Sequence, residues 1–126
     1  MFLIERPRIL VADDERIIAD TLAMILNQNG YQSVPVYGGR EAVEKARHWT
    51  PDLFLGDVNM PELNGIQAAI EICAVSPGCR VLLFSGEPGS RLLVRDASAK
   101  GHRYEFLEKP IPPLDLLSRI RRLRAA

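Results

Sequence analysis

Cysteine is scarce in this chain: Cys73 and Cys79 are the only two in 126 residues. That excludes the disulfide framework of a small secreted domain, and a lone pair without histidine neighbours makes a poor zinc site. We read both as free thiols, buried or half-buried. Net charge is lacking as well. Lys plus Arg and Asp plus Glu both number 16, so no overall field favours nucleic acid or an acidic membrane surface. Long apolar runs are missing. "MFLIERPR" starts apolar but breaks at Glu5 and Arg6, short of a signal-peptide core, and nothing approaches the ~20 residues of a membrane span. There are no repeats, linkers or low-complexity segments. These absences leave one soluble, cytoplasmic domain, and 47% hydrophobic residues give it a real core. One local imbalance remains. Arg119, Arg121, Arg122 and Arg124 crowd the C-terminus, where a solvated helix face explains them better than a binding patch.

What is present is alternation. Short apolar runs at Ile9–Ala12, Ser33–Val36, Leu53–Leu55, Val81–Phe84 and Glu105–Leu107 read as strands. "ILVA", "LFL" and "VLLF" are continuously apolar, which suits strands covered on both faces of a parallel sheet. Segments of helical period lie between them. The first spans about Glu15–Asn29, with Ile18, Leu22, Ile25 and Leu26 on one side and Gly30 to end it. The second spans about Arg40–His48, with Val43 and Ala46 inward. The third, about Ile66–Val75, lines up Ile66, Ala69, Ile70 and Cys73 before Pro77-Gly78 breaks it. The fourth, about Ser90–Lys100, has only a loose stripe of Leu92, Leu93, Val94 and Ala97. The fifth starts near Leu114, with Leu117, Ile120 and Leu123 inward and Pro112 and Pro113 in its first turn. The order is (βα)5, an α/β pattern that right-handed crossovers turn into a doubly wound parallel sheet. Such sheets bind ligands beyond the carboxyl ends of their strands, where the strand order reverses.

Asp13, Asp14, Asp57, Ser85 and the Lys109-Pro110 step all fall just after strands. Carboxylates gathered at one edge repel unless a cation sits among them, and hard oxygen ligands favour Mg²⁺ or Ca²⁺. A carboxylate is also a nucleophile toward phosphorus, giving an acyl phosphate. Phosphoryl transfer needs mainly positioning and charge neutralisation, which a metal and a lysine provide, while a hydroxyl such as Ser85 can bond a phosphoryl oxygen. Taken singly, each residue has a plainer reading: Asp13 or Asp14 as a helix cap, Asp57 and Ser85 in turns, Lys109 in a solvated loop. Their joint placement at the ends of successive strands is what points to chemistry.

Four motifs, "VADDE" (Val11–Glu15), "DVNMPELNG" (Asp57–Gly65), "LLFSGE" (Leu82–Glu87) and "FLEKP" (Phe106–Pro110), occur in an order and spacing that resemble the receiver domain of two-component response regulators. The resemblance covers about Arg8 to Leu123, within a single domain of 1–126 and with no output domain in this chain. It implies a flavodoxin-like, CheY-like fold with strand order 2-1-3-4-5. It implies further that Asp57 accepts a phosphoryl group from a sensor histidine kinase or a histidine phosphotransfer protein. Asp13 and Asp14 match the acidic pair that, with Asp57 and the backbone carbonyl of Asn59, holds Mg²⁺ or Mn²⁺. Lys109 would contact phosphoryl oxygens, and its bond to Pro110 is expected to be cis. Ser85 matches the hydroxyl switch and Phe106 the aromatic that turns inward with it, although an ordinary core phenylalanine is the plainer reading. Asn59 and Glu87 match positions that tune the lifetime of the acyl phosphate. The output would be an altered face of the fourth helix, fifth strand and fifth helix, shown to a downstream protein by a monomer or a phosphorylation-linked dimer. Apart from assisting its own phosphorylation and dephosphorylation, such a module is not an enzyme.

The chain departs from the family pattern in three places. Gly86 follows the switch hydroxyl where Ala is usual, which should free the loop. Gly56 precedes Asp57 where an apolar residue is usual, at a cost of about 0.5–1 kcal/mol relative to Ala in a strand. Ser90–Glu105 lacks the usual small-residue ending before the fifth strand, and a weaker fourth helix would bring the active and inactive forms closer in energy. Two other functions compete: a haloacid-dehalogenase-type phosphatase and a scaffold indifferent to phosphate. The first wants an Asp-x-Asp nucleophile motif and a longer chain, and the retained acids and lysine speak against the second. Flavodoxin-like nucleotide carriers share the architecture, but no Gly-rich or Ser/Thr-rich phosphate loop follows the first strand.

Overall fold

A computed structural model describes residues 6–125. The apolar start at Met1–Ile4 therefore lies outside the described residues. Strands and helices alternate as β1 (Arg8–Ala12), α1 (Arg16–Gln28), β2 (Gln32–Val36), α2 (Gly39–Trp49), β3 (Leu53–Asp57), α3 (Gly65–Val75), β4 (Arg80–Ser85), α4 (Ser90–Ala99), β5 (Glu105–Glu108) and α5 (Pro113–Ala125). All strand pairs are parallel, in the order β2-β1-β3-β4-β5.

The uninterrupted apolar strands divide by their period of two. Leu10, Ala12, Phe54, Val81 and Leu83 pack on one face against α2, α3 and α4 through Val43, Ala46, Ile66, Ile72, Val94 and Ala97. Ile9, Val11, Leu53, Leu55, Leu82 and Phe84 pack on the other against Ala19, Ala23 and Leu26 of α1 and Leu116, Leu117 and Ile120 of α5. Both faces are thus covered, which is why none of these strands alternates apolar with polar.

The expected elements occur with small shifts. Asp57 and Ser85 are the last residues of β3 and β4 rather than the first residues after them. The buried stripe of α1 runs along Ala19, Ala23 and Leu26, while Ile18, Leu22 and Ile25 are only half-buried at its flanks. Small side chains let this helix sit close to the sheet, and the larger ones fill its edges. On α4 only Val94 and Ala97 of the expected stripe are buried; Leu92 and Leu93 are exposed. Neither Asp13 nor Asp14 caps α1: its N-cap is Glu15, with no side-chain hydrogen bond. The helix α3 does carry a full capping box, Asn64 and Gln67 each accepting from the other's backbone N–H at 2.9 Å.

Candidate functional site

The reversal of strand order falls between β1 and its two neighbours, and it brings distant residues to one edge. Ala12 pairs with Gly56, so the next residue on each strand sets Asp13 level with Asp57. Asp57 is level with Phe84, and Ser85 is level with Glu108, the residue before Lys109. Lys109 N–H donates to the Ser85 carbonyl at 2.9 Å, tying the two loops together, and the Lys109-Pro110 bond is cis, as expected.

Side chains complete the cluster. Lys109 Nζ lies 2.9 Å from Asp57 Oδ2 and 3.0 Å from Asp13 Oδ2, bridging two carboxylates that are almost wholly buried. Their second oxygens accept backbone N–H groups two residues on, Asn59 to Asp57 and Glu15 to Asp13, both at 2.9 Å. Asp14 is exposed at the rim, and a carboxylate oxygen from each of Asp13, Asp14 and Asp57 falls within 4.8 Å of the others.

Burial pushes the Asp57 carboxyl above its usual range and Asp13 adds to this; the Asn59 amide and Lys109 oppose it without cancelling it. Burial works to lower Lys109, but its bonds to Asp57 and Asp13 and their charges prevail and hold it above its ordinary value. Three acids face one lysine. That donor set fits a hard divalent cation, since the oxygens are close, negative in sum and partly shielded from water.

Ser85, 2% exposed, bonds elsewhere. Its hydroxyl meets the side-chain amide of Asn59, the Ser90 hydroxyl at 2.8 Å and the Glu87 N–H at 3.0 Å. Asn59 Nδ2 also donates to Ser90 Oγ at 2.9 Å. Glu87 reaches this network through its backbone, its side chain being exposed at the surface. Phe106 is half-buried rather than a full core residue, and it packs against the α2-α3-α4 side of the sheet with the Arg91 guanidinium 5.1 Å from its ring centre. Arg91 is held there by Glu108 at 2.8 Å.

Ser90 was not legible as part of this site. It lies five residues beyond Ser85, and Gly89 at φ +89° turns the chain so that the first residue of α4 faces back to β4. The "GS" step after Pro88 is the sole sequence signal, and it reads equally well as an ordinary helix start.

The described residues thus form a doubly wound α/β domain with three acids and a lysine at the point where the strand order reverses, which is where such sheets bind ligands. Comparisons with known proteins give the family. The model of the response regulator receiver domain matches residues 9–121. The chemotaxis protein CheY of Thermotoga maritima is 35% identical over 107 residues, 84% of this chain and 88% of that protein. The transcriptional regulatory protein PdtaR of Mycobacterium tuberculosis is 40% identical over 119 residues, covering 90% of this chain; the chain spans only 54% of that relative. Among solved structures, chemotaxis protein CheY4 of Vibrio cholerae superposes with a TM-score of 0.82 at 26% identity, covering 94% of this chain and 99% of that one. The chain belongs to the response regulator receiver domain family.

Proposed function

We propose that Asp57 is the phosphoacceptor of this domain and that Asp13, Asp14 and Asp57, with the Asn59 carbonyl, hold Mg²⁺ or Mn²⁺. The observation that carries this reading is the Lys109 ammonium bridging two nearly buried carboxylates at 2.9 and 3.0 Å, with a third within reach. An Asp57 oxygen attacks the phosphorus of a phosphohistidine; the O–P bond forms, the P–N bond breaks, and the imidazole nitrogen keeps the electron pair. Lys109 then turns its protons to the phosphoryl oxygens, and Ser85 supplies one more hydrogen bond. The cation, when bound, neutralises charge on the transferring group. Asn59 and Glu87 tune the lifetime of the acyl phosphate.

The donor is a sensor histidine kinase or histidine phosphotransfer protein. The output face is formed by α4, β5 and α5, where Arg91, Val94, Arg95, Tyr104, Phe106 and Arg119 line an open groove. Free thiols at Cys73 and Cys79 accord with a cytoplasmic setting. Transfer of labelled phosphate from a panel of phosphorylated histidine kinases tests the reading. Rapid labelling of the wild type by one kinase, and none of Asp57→Asn, is expected; equal labelling of the two would overturn it.

A further inference from the structure

Ser90 is a buried hydroxyl that the proposed chemistry does not use. Counting protons around it is restrictive. A serine hydroxyl has one proton to give and two lone pairs to receive with. Ser85 Oγ receives the Asn59 amide and the Glu87 N–H, which fills both lone pairs. Across the 2.8 Å contact with Ser90, Ser85 is therefore the donor. Ser90 Oγ also receives an Asn59 N–H at 2.9 Å, which closes a three-membered ring of side chains.

We infer that Ser90 is a positioning residue for the phosphoryl chemistry: it captures the only proton of Ser85, so a phosphoryl group on Asp57 must win that proton from it. The inference rests on Asp57 being the phosphoacceptor and deepens that reading. Once Ser85 donates to a phosphoryl oxygen instead, Ser90 keeps only the Asn59 donor, and the first residue of α4 is released from the end of β4. The next residue, Arg91, holds Phe106 and Glu108, so one helical turn is tied to both switch positions.

The test compares wild type, Ser90→Ala, Ser90→Cys, Ser85→Ala and the double variant Ser85→Ala/Ser90→Ala. Each is incubated with acetyl phosphate and Mg²⁺, and the phosphorylated fraction is read by intact mass. Losing one competing hydrogen bond should raise the ratio of phosphorylated to free protein about 2- to 10-fold in Ser90→Ala. Ser90→Cys, nearly the same shape but a weak acceptor, should move the same way by less. In the Ser85→Ala background, Ser90→Ala should change nothing, because no contested proton remains. Without metal or donor, the Glu87 amide should exchange faster in Ser90→Ala as Ser85 swings free. Unchanged ratios in Ser90→Ala and Ser90→Cys, or an equal effect in both backgrounds, would overturn the role of Ser90 alone. A wild type that takes no phosphoryl group would overturn it together with the reading of Asp57.

Discussion

The ring of Phe54 fills the space that a side chain at position 56 would need: a Cβ on Gly56 would stand 2.4 Å from Phe54 Cζ. Both residues lie on the same face of β3, and Phe54 is fully buried, so the ring has nowhere to swing. Gly56→Ala is expected to destabilise the fold by about 1–3 kcal/mol through overpacking. Urea unfolding should show a smaller penalty for the same change in a Phe54→Leu background, because the ring atoms that a Cβ would strike are then gone. Equal penalties in the two backgrounds would mean the ring is not the obstacle.

Gly86 behaves differently. A Cβ there meets Lys109 Cβ at 3.4 Å, an ordinary contact, and its φ lies outside the left-handed region. Gly86→Ala should fit and stabilise by about 0.4–1 kcal/mol by restricting the unfolded chain. Loss of stability in a thermal melt would contradict this.

Burial raises Asp57 in the folded protein, so between the usual carboxylate value and the raised one the native state binds more protons than the unfolded state. Without divalent cation, Asp57 therefore makes stability fall as pH climbs through that window. Asp57→Asn should melt higher than wild type at neutral pH and show a flatter profile from acid to neutral. Lys109 acts at the other extreme. Its contribution, with its pKa raised, is full below the ordinary lysine value and is lost as pH rises through the raised one.

Mg²⁺ should relieve the same crowding. At 100 times its dissociation constant, a ligand selective for the native state adds about 2.7 kcal/mol. The wild-type melting point is expected to climb with Mg²⁺, and that of Asp13→Asn to climb far less. An equal rise in both would remove Asp13 from the cation site.

The fold was readable because the strands are continuously apolar and the helices have clear breakers, such as Gly30 and Pro77-Gly78. The meeting of Asp13, Asp57 and Lys109 was readable too, since parallel register carries the residues at or just past the ends of β1, β3 and β5 to one edge. The ring through Ser90 was not, because it depends on a left-handed turn at Gly89 that sequence pattern does not reveal. Gly56 was legible only as a cost, since its compensation is a ring two residues away. On α4 the apolar pattern was too weak to separate buried Val94 from exposed Leu92 and Leu93.

Mapping the modified residue after treatment with acetyl phosphate and Mg²⁺ addresses the central claim most directly. One acid-stable, base-labile phosphoryl group on the peptide carrying Asp57, absent from Asp57→Asn and strongly reduced without Mg²⁺, is the predicted result. A phosphoryl group on any other residue, or an Asp57→Asn protein labelled as fully as the wild type, would contradict it.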